Sequence, residues 1–135
     1  MHTVEVEWVS ALDRLPKDSD CVMGAITGRY PGDPEGEDAD SRAGEEYWLV
    51  LPTYFHSRHT DERTGTLFHN CFVDSDRVVR LPYGGSTPEQ VTHWAELPVL
   101  PGTSKRQILG AGAQPALHAA LPQAPGVKPD EREAP

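Results

Sequence analysis

"VTHWAELPVLP", Val91 to Pro101, is the stretch on which the reading of the fold turns. Val91, Thr92 and Trp94 are β-branched or aromatic, the residue types that fit a pleated, half-buried surface, and Pro98 cannot donate to a ladder. The segment therefore reads as a strand that ends a folded domain. Just before it, Thr87, Pro88 and Gln90 fit a helix start, with a capping-box partner and proline at the first helical position. One helical turn feeding a closing strand is the expectation.

Upstream, "TVEVEWV" alternates, with Val4, Val6 and Trp8 on one face and Glu5 and Glu7 on the other, the period of a half-buried strand. "SALDRLP" follows, where Ser10 can cap a single turn, Pro16 stops it, and Leu12 and Leu15 are expected to fold back under the strand. "DCVMGAIT", residues 20–27, reads as a short buried strand. "YWLVLPTYF" and "TLFHNCFV" read as two antiparallel strands joined by a flexible polar connection, "HSRHTDERTG". "DRVVRLP" adds another before the "YGG" turn. The expected fold class is α+β, mainly β: a small antiparallel sheet of five or six strands with one or two short helical turns. The expected core is Trp8, Leu15, Trp48, Phe72 and Trp94.

Beyond Pro98 the composition changes. Seven of the thirteen prolines lie from Pro98 onward, beside a "GAGA"-like stretch and few large apolar residues. The expected organisation is one β-rich domain over residues 1–101 and a disordered tail over 102–135. Within the tail, "QPALHAALPQ" has the makings of a transient two-turn helix.

Charge is uneven. Residues 1–98 hold eight Lys/Arg against eighteen Asp/Glu, a balance of −10, and residues 99–135 hold four against three. Binding to a phosphate backbone draws on clustered cations, so this field argues against direct nucleic-acid binding. No apolar run approaches the roughly 20 residues that span a bilayer, and the N-terminus lacks the basic and apolar regions of a secretory signal. A cytoplasmic protein of a bacterial host cell with no membrane partner is expected. In that compartment Cys21 and Cys71 are expected to be unbridged.

The ends of the domain carry a resemblance. "WVSALDRLP" and "THWAELP", through Trp8, Ser10, Leu15, Pro16, Thr92, His93, Trp94, Leu97 and Pro98, resemble a small family of phage and prophage proteins, domain of unknown function 551. That family has a Trp-x-Ser…Leu-Pro start and a Thr-His-Trp-x-x-Leu-Pro end. Ala95 and Glu96 stand where it commonly carries Met-Pro, and the acidic loop is longer. The resemblance implies a compact β domain of phage or prophage origin, with no activity attached. It also implies that the first and last strands are neighbours and that Trp8 and Trp94 pack together.

Two windows carry chemistry. His56, His59, His69 and Cys71 are zinc-ligand types in the pattern H-x2-H-x9-H-x-C, which matches none of the standard structural-site spacings. No metal or other cofactor is expected, and the window supplies the alternative function, a small metal-binding or hydrolytic domain. The acidic loop, about residues 31–46, carries seven carboxylates from Asp33 to Glu46. It reads as a solvated insertion or as a surface that meets a basic protein; Asp33, Glu35, Glu37, Asp38 and Asp40 are the candidate partner-binding residues, while the ordered ligand spacing of a calcium loop is missing. No catalytic motif is found, and His93 has no nucleophile or orienting carboxylate at a motif distance. The expected function is a non-enzymatic phage accessory protein that binds a host or phage protein, in its sharper form an inhibitor of a bacterial defence or nucleic-acid-processing system.

Overall fold

The closing strand is β6, Gln90–Glu96, and its two edges organise the sheet. A computed structural model describes residues 1–38 and 44–121. One edge of β6 takes β2, Cys21–Arg29, antiparallel. The other is shared: β5, Val79–Pro82, pairs with its beginning and β1, Val9–Ser10, with its later half. β3, Glu46–Thr60, and β4, Leu67–Val73, complete a meander β2-β3-β4-β5, and the β5–β6 pairing closes it into a small barrel.

That closing pair is parallel, unlike the other ladders. Parallel neighbours normally need a long crossover. Here the end of β5 meets the start of β6, Leu81 opposite Gln90 and Pro82 opposite Val91, so the chain never has to return along the strand. Residues 83–89 suffice, and side chains hold them. The Thr87 hydroxyl accepts from the Leu81 N–H at 2.9 Å and donates to the Glu89 carbonyl at 2.7 Å. Gln90 accepts from Gly84 and donates to Gly85. Thr87 and Gln90 thus serve a loop, and the helical turn expected at this point does not form.

The interior is filled by Val22, Ile26, Phe55, Phe72, Val91 and Trp94, with Ala11 beneath and Val9, Leu15, Tyr47 and Leu51 packed against them. Phe55 and Phe72 are cross-strand partners whose rings meet edge to face, centroids 5.2 Å apart. Each such side chain contributes about 1.5–3 kcal/mol by leaving water. Trp94 donates its indole N–H to the Arg14 carbonyl at 2.8 Å, while the Arg14 guanidinium lies over its ring. The turn after β1 is organised by Ser10, whose carbonyl accepts from Asp13 and Arg14 and whose hydroxyl accepts from Leu12.

The first strand is much shorter than its alternation predicts. Continuing the β1–β6 ladder back from the Val9–Trp94 pair would set Glu7 opposite Glu96, a like-charge pair that disfavours further zipping. Val4, Val6 and Trp8 remain exposed. The core assignments of Trp8 and Trp48 are corrected accordingly: they are 41% and 67% exposed, whereas Trp94 is 7%. Val9 faces inward beside Trp94, so alternation turns Trp8 outward. Tyr47, Leu51 and Phe55 take the inward positions of β3, which leaves Trp48 outside. Leu12 also points outward from its turn, while Leu15 reaches the core.

The polar connection expected over residues 56–65 is largely strand. β3 continues through Thr60, paired with Leu67, and only residues 61–66 turn the hairpin. Asp61 builds that turn, its carboxylate accepting from Arg63 and its backbone bonding Thr66 and Gly65.

A buried ionic network ties the β4–β5 turn, β5, the approach to β6 and β3 together. Arg80 is 5% exposed and pairs with Asp74 at 2.6 Å and Glu89 at 3.1 Å; Glu89 in turn accepts from the Tyr47 hydroxyl. Gly28 makes room for it, since a β-carbon there would sit 2.6 Å from the Tyr47 oxygen and 2.9 Å from Glu89.

The strands belong to a compact unit, Val6–Leu97. A second unit gathers Met1–Glu5 with the chain from Pro98; it contains a 3-10 turn, Gly110–Gly112, and helix α1, Ala113–Ala120, neither of which buries a residue. Residues 122–135 of the expected tail lie outside the described residues. Among the described residues no helix is long and apolar enough to cross a membrane.

Candidate functional site

Strand β3 is apolar on both faces, and this decides where the surface chemistry lies. Its inward residues fill the barrel; its outward ones, Trp48, Val50, Pro52 and Tyr54, are exposed. On the neighbouring strands Ala25 lies opposite Val50 and His93 opposite Ala25. Trp8, Ala25, Trp48, Leu49, Val50 and His93 enclose a pocket of about 290 Å3 on the outside of the sheet. Monomeric proteins rarely expose contiguous apolar patches without a use for them.

A β-bulge shapes the polar wall of this pocket. The β2–β6 register shifts between Ala25 and Ile26, so that Thr92 is inserted between the paired residues Val91 and His93. Its hydroxyl is 3.2 Å from the Ala25 carbonyl, accepts the Trp48 indole N–H at 2.9 Å and lies 3.0 Å from His93 Nδ1. Trp48 and His93 also approach as rings, 6.2 Å between centroids. One hydroxyl thus fixes both aromatic walls.

The histidine-cysteine window is built differently from a metal centre. His56 lies opposite Cys71 and Arg58 opposite His69, while His56 and His59 stack at 5.4 Å. Cys71 is fully buried, and burial pushes its thiol up to about 11, away from the thiolate that zinc requires. Among the described residues no three His, Cys, Asp or Glu side chains are grouped so as to hold a metal ion. His56 instead neighbours Asp18, whose carboxylate accepts from the Ser57 N–H at 2.8 Å. That backbone hydrogen bond, with smaller help from the Ser57 hydroxyl and the His56 charge, holds Asp18 below the usual carboxylate range against a weaker opposing effect of burial.

The acidic loop leaves the barrel at the β2–β3 hairpin. Arg29 pins its base, donating to the Gly44 carbonyl at 2.7 Å and pairing with Glu46 at 2.5 Å. Asp33 turns the chain by accepting from the Glu35 N–H, and Asp33, Glu35, Glu37 and Asp38 are all exposed. Asp40 lies outside the described residues. Thr27, two residues before Arg29, is the cross-strand partner of Trp48, so the loop springs from the same hairpin that carries the pocket.

Sequence reading missed the pocket because it placed Trp8 and Trp48 inside. The available signal was the apolar run from Tyr47 to Phe55, interrupted only by Thr53, which in a small antiparallel domain leaves one apolar face outside. No family model matches the chain, and neither a curated protein nor a solved structure matches it.

Proposed function

We propose that this chain is a non-enzymatic protein-binding module that docks a basic partner on the outer face of its barrel. The observation that carries the reading is the exposed pocket of Trp8, Trp48, Val50 and His93. Tryptophan anchors set in a defined pocket are what protein interfaces rely on for most of their binding energy. The acidic loop and the −10 balance of residues 1–98 supply the field that would speed encounter with a basic surface. With the lineage implied by the resemblance, the partner is a host or phage protein. The specific form of the proposal is a phage accessory protein that covers the basic site of a bacterial defence or nucleic-acid-processing enzyme.

The test is capture from bacterial lysate by three tagged proteins of equal thermal stability: the parent, a Trp8→Ser/Trp48→Ser variant, and a variant with Asp33, Glu35, Glu37, Asp38 and Asp40 changed to Asn or Gln. The double tryptophan variant should lose the partner. The neutralised loop should lower the association rate and flatten its salt dependence, because exposed charges act over about 10 Å at 0.1 M salt. A partner held equally by all three proteins would overturn the proposal.

A further inference from the structure

The hydrogen bonds around Thr92 assign the proton on His93. A threonine hydroxyl has one proton and two lone pairs. The Ala25 carbonyl can only accept and the Trp48 indole N–H can only donate. All three contacts of Thr92 are therefore satisfied together when its hydroxyl donates to Ala25 and accepts from Trp48 and from an Nδ1–H of His93. In the neutral ring this leaves Nε2 as an acceptor, directed away from Thr92 and with no hydrogen-bond partner among the described residues.

The pocket then has a definite chemistry. It presents the indoles of Trp8 and Trp48, aliphatic surface from Ala25 and Val50, and one imidazole acceptor, with no charged residue in its lining. The Trp48 N–H is already committed. Indole faces attract cations through their quadrupole, and an imidazole acceptor needs an N–H donor. Both requirements are met by a cationic N–H donor, and best by the guanidinium of an arginine, whose planar fork can stack on an indole and donate at once where an ammonium offers a point charge. The charge of the molecule agrees: Glu7 adjoins Trp8 in sequence, and residues 1–98 are acidic in balance. A second copy of this chain would bring a like-charged surface to the same face.

We propose that the pocket receives an arginine side chain from the partner, stacked against the exposed indoles and donating to His93 Nε2. This rests on the protein-binding function proposed above and names the residue that the site selects. Three short blocked peptides, Gly-Arg-Gly and its citrulline and norleucine counterparts, are titrated into the 15N-labelled full chain while the indole N–H resonances are followed. The arginine peptide should move the Trp8 and Trp48 signals saturably and leave Trp94 in place. The citrulline peptide, isosteric but uncharged, should bind at least tenfold more weakly. Changing His93 to Phe, which keeps a ring and removes the acceptor, should weaken arginine binding severalfold, and His93→Gln should restore part of it. Norleucine binding as tightly as arginine, or arginine moving Trp8 and Trp48 no more than Trp94, would overturn the arginine pocket. Either outcome leaves the lysate experiment to judge the docking face by itself, because that experiment reads dependence on Trp8 and Trp48 whatever group the pocket holds.

Discussion

Replacing Asp74 by Asn should destabilise the barrel by about 3 kcal/mol, and the geometry allows that loss to be assigned to one ion pair. Asp74 uses its two oxygens separately. Oδ1 accepts from the Asp76 and Val78 N–H groups and so shapes the β4–β5 turn; Oδ2 meets Arg80 at 2.6 Å. Asn keeps an oxygen for the turn but turns an amide donor toward a guanidinium donor. Both partners of the pair are nearly buried, with side chains 8% and 6% exposed. Removing one partner of a buried pair typically costs about 3–5 kcal/mol, and Glu89, still 3.1 Å from Arg80, keeps the loss near the lower end. The sign of the pH dependence follows from the carboxyl. Burial raises it, but the Arg80 hydrogen bond, the Val78 N–H, the Arg80 charge and the Asp76 N–H together bring it below its ordinary value. A carboxylate depressed in the folded state adds stability above its unfolded value, about 3.9, and loses it as pH falls through the folded one. In urea unfolding, parent and variant should therefore differ fully at neutral pH and converge in acid. A difference below about 1 kcal/mol at pH 7, the range of an exposed pair, would refute the reasoning.

Trp94 and Trp48 should separate cleanly. Trp94→Ala should cost about 3–5 kcal/mol and Trp48→Ala less than about 1 kcal/mol in the same unfolding assay, and equal losses would contradict the assignment of inner and outer faces. With its thiol raised to about 11 and fully buried, Cys71 should resist iodoacetamide in the native protein and react only on unfolding, while Cys21 reacts first. Equal alkylation rates for the two cysteines would show that Cys71 is accessible.

What the sequence reveals depends on whether a signal is local. The aromatic and aliphatic run Tyr47–Phe55 and the short apolar run after Asp20 are local, and both mark strands that form. The meeting of the first and last strands was legible through paired motifs, Val9 opposite Trp94 and Ser10 opposite His93, but the expected packing of Trp8 on Trp94 does not occur, since Trp8 lies outside and Trp94 in the core. Burial was harder to read. Nothing near Trp8 or Trp48 states which side of a barrel wall they occupy, because that depends on the parity set by Val9 and Tyr47 and on how much the interior can hold. The turn chemistry of Thr87 and Gln90 was misread for a related reason. Their side chains satisfy a loop whose need arises from the β5–β6 pairing, a contact between strands that local propensity does not encode.

The Thr-His-Trp triplet joins stability to the proposed function through one inserted residue. Val91 is fully buried and Trp94 nearly so, yet they stand three apart, and a strand of period two would send them to opposite faces. The bulge at Thr92 resolves the conflict by adding a residue that consumes one step of the alternation. Val91 and Trp94 then both enter the core, and the surplus residue and its neighbour, Thr92 and His93, stand on the outer side beside Trp48. The hydroxyl at the bulge bonds the Ala25 carbonyl at the register shift and orients both pocket walls. A side chain that satisfies an irregular stretch of backbone from the outside is available to organise a surface there. Filling of the core and construction of the pocket therefore meet at one inserted residue, and the tryptophan and histidine gathered in Val91–Pro101 face opposite ways because each belongs to one side of the sheet.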